Sequence, residues 1–169
     1  MTDPLDLLVE LARPVRHEAN NLLAALSGTA ELMQRARGAS ERDIARAERL
    51  TDASARLQAL LHAYLALGAP PPDGTPAQAV FAGMNPLVRL SVGPGRLAEM
   101  VAAPVLPPLA ASPAALQATI LRLAREAAAM APPSSVLRLA LEPAPGGAVL
   151  VATALPGGEV PPPVFLAGA

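Results

Sequence analysis

Two apolar seams of matching period, one on each side of Gly38-Ala39-Ser40, constrain this chain more than any other feature. Val15, Ala19, Leu22, Leu26, Thr29 and Met33 follow one another at spacings of four, three, four, three and four. Leu50, Ala53, Leu57, Leu60, Tyr64 and Leu67 repeat at three, four, three, four and three. Such a stripe is one face of an α-helix turned towards a partner helix. The spacing predicts helices over about residues 5–37 and 41–67, folded back as an antiparallel hairpin. Pro14 interrupts the first, where the lost donor and the clash with the Glu10 carbonyl predict a kink or a fresh start. Ser40 suits the N-cap of the second helix, with Glu41 and Asp43 in the first turn, where the helix dipole favours acids.

A lone hairpin leaves part of its apolar stripe wet. Two hairpins from two chains close a four-helix bundle, so a homodimer is expected. Gly68-Ala69-Pro70-Pro71-Pro72 stops the second helix and opens a linker, which places a domain boundary between residues 69 and 70. The fold class read here is α+β: a hairpin domain over 1–69, then a small α/β sandwich over 70–169. In the second part "PLVRLSV" (86–92) reads as a strand. "SPAALQATILRLAREAAAMAP" (112–132) is the clearest helix, with Ser112 as N-cap, Pro113 at its first position and a proline pair past its end. "SVLRLALEP" (135–143) and "GAVLVATAL" (147–155) read as strands of a hairpin turned at Pro145-Gly146-Gly147. "APVLPPLAA" (103–111) reads as an edge strand or a loop, and the tail from Pro161 as an edge segment or disordered.

Composition narrows the function. The chain of 169 residues is 52% hydrophobic but has only three aromatics, Tyr64, Phe81 and Phe165, so its core is built from Ala, Leu and Val. Its 20 prolines and 12 glycines fall mostly after residue 67. A formal net charge of -1 argues against a general nucleic-acid binder, which needs a basic surface. With no cysteine there is no disulfide framework, thiolate nucleophile or zinc ribbon. No apolar run approaches the ~20 residues that span a bilayer, and "MTDPLDLL" lacks the basic start of a signal peptide. A soluble, cytoplasmic protein is expected, with no membrane partner.

The chemistry concentrates at "RPVRHEANNLLAALSGTAEL" (13–32). Helical geometry puts Arg13, His17 and Asn21 in one row, four residues apart, away from the seam, so the imidazole should face solvent. Glu18, about 100° round the helix, can swing towards the ring and accept a hydrogen bond from Nδ1. That would leave the lone pair on Nε2 and make it a nucleophile. Asn21 can position a phosphoryl oxygen or an attacking water, and Arg13 or Arg16 can offset phosphate charge. Spacing alone leaves a second reading open, that of a surface histidine in a solvated charged face. A zinc-protease helix needs a second histidine where Asn21 stands, so no metal ligand is assigned. His62, with no carboxylate neighbour, has no role.

"RHEANNLLAALSGTAEL" resembles the phosphoacceptor box of sensor histidine kinases, in the subgroup reading His-Asp/Glu-x-Asn-Asn-Leu-Leu before a Gly and an Ala-Glu-Leu. The matching residues are His17, Glu18, Asn20, Asn21, Leu22, Leu23, Gly28, Ala30, Glu31 and Leu32. Ala19 departs from the large apolar residue often found there. "AERLTDASARLQALLHAYLALGAP" resembles the second helix of that dimerisation and phosphotransfer domain. The second half resembles a degenerate kinase ATP-binding domain. Its main helix carries Arg122 and Glu126 where that family has an asparagine pair that serves magnesium. "VATALPGG" carries Thr153 or Ala154 where an adenine-binding aspartate belongs. No Gly-x-Gly-x-Gly occurs, and too few residues follow for an ATP lid.

An intact phosphoacceptor helix beside a worn ATP site is similar to the kinase-like histidine phosphotransferases. The resemblance implies a dimeric phosphorelay intermediate, not an active ATP-dependent kinase. It would pass a phosphoryl group between response-regulator receiver aspartates through a phosphohistidine at His17. Glu18 would be the acid-base partner, and Asn21 would tune transfer and dephosphorylation. The chain would have no cofactor of its own and bind no ATP, magnesium coming from the receiver, which would dock near Asn20, Ala24 and Gly28. Alternatives are a non-catalytic pseudokinase adaptor or phosphatase-like regulator that binds a receiver, and a purely structural helical dimer.

Overall fold

The computed structural model describes residues 4–35 and 41–169. Helix α1, Pro4–Arg35, and helix α2, Glu41–Gly68, form a hairpin. Two hydrogen bonds fix its antiparallel sense. The Tyr64 hydroxyl at the end of α2 donates to the Leu8 carbonyl (3.0 Å), and Arg46 near its start donates to the Leu32 carbonyl (3.2 Å). The two seams are where the helices meet. Val15, Leu22, Leu60 and Leu67 are buried, and Ala19, Leu26, Thr29, Met33, Leu50, Ala53, Leu57 and Tyr64 are half-buried. Helix α1 runs unbroken through Pro14, so there is no fresh start. The expected Gly38-Ala39-Ser40 connection and its Ser40 cap lie outside the described residues.

Burial along the hairpin is uneven, and the cause is what covers it. Leu7, Leu11, Leu60, Ala63 and Leu67 at its base join one continuous core with the rest of the chain, whereas the far end has only the two helices and stays half wet. The covering elements are α3 (Ala77–Gly83), α4 (Asn85–Ser91) and α5 (Pro113–Met130). The Arg125 guanidinium of α5 pairs with the Glu10 carboxylate of α1 across this junction.

The sheet has the order β1-β2-β3-β4. Strand β1 (Ala98–Ala102) runs parallel to β2 (Val136–Ala144), and α5 supplies the crossover that a parallel pair requires. Strand β3 (Gly147–Leu155) pairs antiparallel with β2 around Pro145-Gly146, and Gly146 takes the positive φ of 78° that this tight turn needs. Strand β4 (Val164–Ala167) closes the edge, so the tail from Pro161 ends as an edge strand. Leu137, Leu139, Leu141, Leu150, Ala152 and Ala154 point into the core, while Arg138, Glu142 and Thr153 point out. Helix α5 starts as expected: the Ser112 hydroxyl accepts from the Ala115 amide (3.3 Å) and Pro113 opens the first turn. Its other end is closed by Arg96, whose guanidinium donates to the Ala128 and Ala131 carbonyls, a cation where the helix dipole favours one.

One expectation fails here, and an open alternative is decided. "PLVRLSV" is helix α4, not a strand. Met84, Leu87, Val88 and Val92 are all buried while Arg89 is exposed, a spacing of three, one and four that only a helical face satisfies. Pro86 sits in its first turn, where a missing N–H costs nothing. The strand that pairs with β2 is instead "AEMVA" (98–102). "APVLPPLAA" is a loop, tied to the tail by the Ala110 amide donating to Ala167 (2.9 Å) and the Ala169 amide donating to Pro108 (3.0 Å). The protein is thus α+β, a long helical hairpin followed by three shorter helices and a mixed four-stranded sheet.

Candidate functional site

Helix α1 divides into faces that its sequence dictates. The seam turns towards α2, and Arg13, His17 and Asn21, one turn apart, are all exposed on another face. Asn20, Ala24 and Gly28 are exposed as well. Seven residues separate Glu10 from His17, two turns or about 10 Å of helix, so the imidazole sits on the side of the hairpin where Glu10 meets Arg125.

Among the described residues the imidazole has one hydrogen-bond partner. Asn21 Nδ2 lies 3.2 Å from His17 Nδ1, and no hydrogen bond reaches Nε2 from the described residues. The expected orienting contact from Glu18 is not what the structure shows. Glu18 is half-buried and makes no hydrogen bond to the ring. The reason is helical geometry: residues one apart diverge, whereas residues four apart stack in one row. Arg13 shares that row, while Arg16 is displaced about 100° round the helix; both are exposed and neither forms an ion pair among the described residues. The surface beside the row is open. A Cβ placed on Gly28 would meet nothing within 4 Å, so packing inside the chain does not demand glycine there.

Elsewhere the candidate positions are scattered or mutually satisfied. Arg122 and Glu126 face each other on the exposed side of α5 at 3.4 Å. Thr153 is exposed and its hydroxyl lies 3.4 Å from the Arg138 carbonyl, while Ala154 is buried. His62 is exposed on α2 beside a shallow groove bordered by Ala82, Gly83 and Pro86. Among the described residues no three His, Asp or Glu side chains gather as a metal site, and no helix is long and apolar enough to cross a membrane.

Two features escaped the sequence reading. A cavity of about 510 Å³ lies between the start of α3 and the start of α5, lined by Asp73, Thr75, Gln78, Leu106, Leu109 and Leu116. The Glu10–Arg125 pair joins residues 115 positions apart, which no local pattern announces. The Asn21–His17 contact was not expected either, although the i, i+4 spacing of the two residues is a signal that could have shown it. No protein-family model matches the chain, and no curated protein matches it.

Proposed function

We propose that this protein is a histidine phosphotransferase, a phosphorelay intermediate that carries a phosphoryl group between response-regulator receiver aspartates on His17. The observation that carries the reading is the state of that ring: it is exposed on an open helical face, and among the described residues only the Asn21 amide reaches it, at Nδ1, which leaves the Nε2 edge open to a partner. In the forward step the Nε2 lone pair attacks the aspartyl phosphorus in line. The bond from phosphorus to the carboxylate oxygen breaks, and its electron pair stays with the aspartate. A second receiver's aspartate then attacks the phosphoimidazole. Neither step consumes ATP, and the metal that balances phosphoryl charge belongs to the receiver. The chain contributes position, ring orientation and, from Arg13, a nearby cation. The receiver packs a helix over Asn20, Ala24 and Gly28, where small side chains permit close approach. A relay between receivers places the protein in the cytoplasm.

The reading includes a homodimer. Leu23 is 49% exposed, Leu61 41% and Leu65 66%. Helix geometry puts Ala19, Leu23, Leu26 and Ala30 of α1 and Leu50, Leu61 and Leu65 of α2 on one flank, opposite the flank that bears His17. A second hairpin on that flank completes a four-helix bundle and leaves both histidines accessible. The second half serves as a docking and scaffolding unit without nucleotide chemistry.

Incubation with receivers carrying labelled aspartyl phosphate tests the proposal. A relay moves label onto the protein, and His17→Ala abolishes it. Free phosphate that survives His17→Ala and stops on changing Asn21 identifies a phosphatase-like regulator instead. No effect on the label leaves a structural dimer.

A further inference from the structure

We draw no further inference here: the strongest candidate, the cavity of about 510 Å³ between the start of α3 and the start of α5, carries nothing, because its Thr75 and Ser112 hydroxyls are engaged with the chain's own backbone and nothing in the structure shows what fills it.

Discussion

Leu65→Ala should weaken self-association of this protein by one to three orders of magnitude without unfolding it. The side chain is 66% exposed on the hairpin flank away from His17, so the single chain loses almost nothing when it is trimmed. Full burial of a leucine side chain is worth about 1.5–3 kcal/mol, so covering the exposed two-thirds contributes about 1–2 kcal/mol. A two-fold dimer repeats the position, which doubles the loss to about 2–4 kcal/mol. At about 1.4 kcal/mol per decade, Kd should rise between about 30-fold and nearly a thousandfold. Sedimentation equilibrium of the parent and the variant gives both constants, and circular dichroism shows whether the helices persist. Leu97→Ala is the matched control: Leu97 is 69% exposed but lies outside the hairpin, and its removal should leave Kd unchanged. A monomeric parent at tens of micromolar, or a Leu65→Ala variant that dimerises as well as the parent, would refute the bundle. It would also show that the exposed leucines have another use or none.

Gly28→Ala should raise thermal stability by about 1 kcal/mol, since the new Cβ meets nothing and alanine is the better helix former; the same change should slow phosphoryl transfer from a receiver, read as an initial rate of labelling. Gly147→Ala should destabilise the fold by about 1–3 kcal/mol or more, because its Cβ would lie 2.0 Å from the Leu166 carbonyl oxygen, and urea unfolding measures the loss. Ser112→Ala removes the hydroxyl that caps α5 and should cost about 1 kcal/mol in the same assay.

What the sequence revealed follows from how local each signal is. Both hairpin seams are repeats of three and four sustained over five turns, and the residues that carry them are the ones at the helix contact. Helix α5 announced itself through Ser112, Pro113 and the Pro132-Pro133 stop, and β2 and β3 through a turn whose two-residue loop fixes their register. The failures lie where an element is short. Seven residues of α4 give fewer than two turns of pattern, and an apolar run of that length reads equally as a strand. Tertiary packing decided it, by burying the adjacent pair Leu87 and Val88 together. Strand β1 was invisible because Ala98, Glu99 and Met100 have little β-propensity and gain their state from pairing with β2. At the candidate site the row of Arg13, His17 and Asn21 was readable from the helix repeat alone. The partner of Nδ1 was misread because the adjacent acid was expected to swing towards the ring, whereas side-chain direction on a helix favours the residue one turn on.

His17 is proposed to carry a phosphoryl group taken from a receiver aspartate. Transfer of labelled phosphate from phosphorylated receivers to the parent protein and to His17→Ala, followed by acid and alkali treatment of the product, tests it directly. Acid-labile, alkali-stable label on the parent that vanishes in His17→Ala is the predicted result; label that persists in His17→Ala, or a parent that remains unlabelled by every receiver offered, contradicts it.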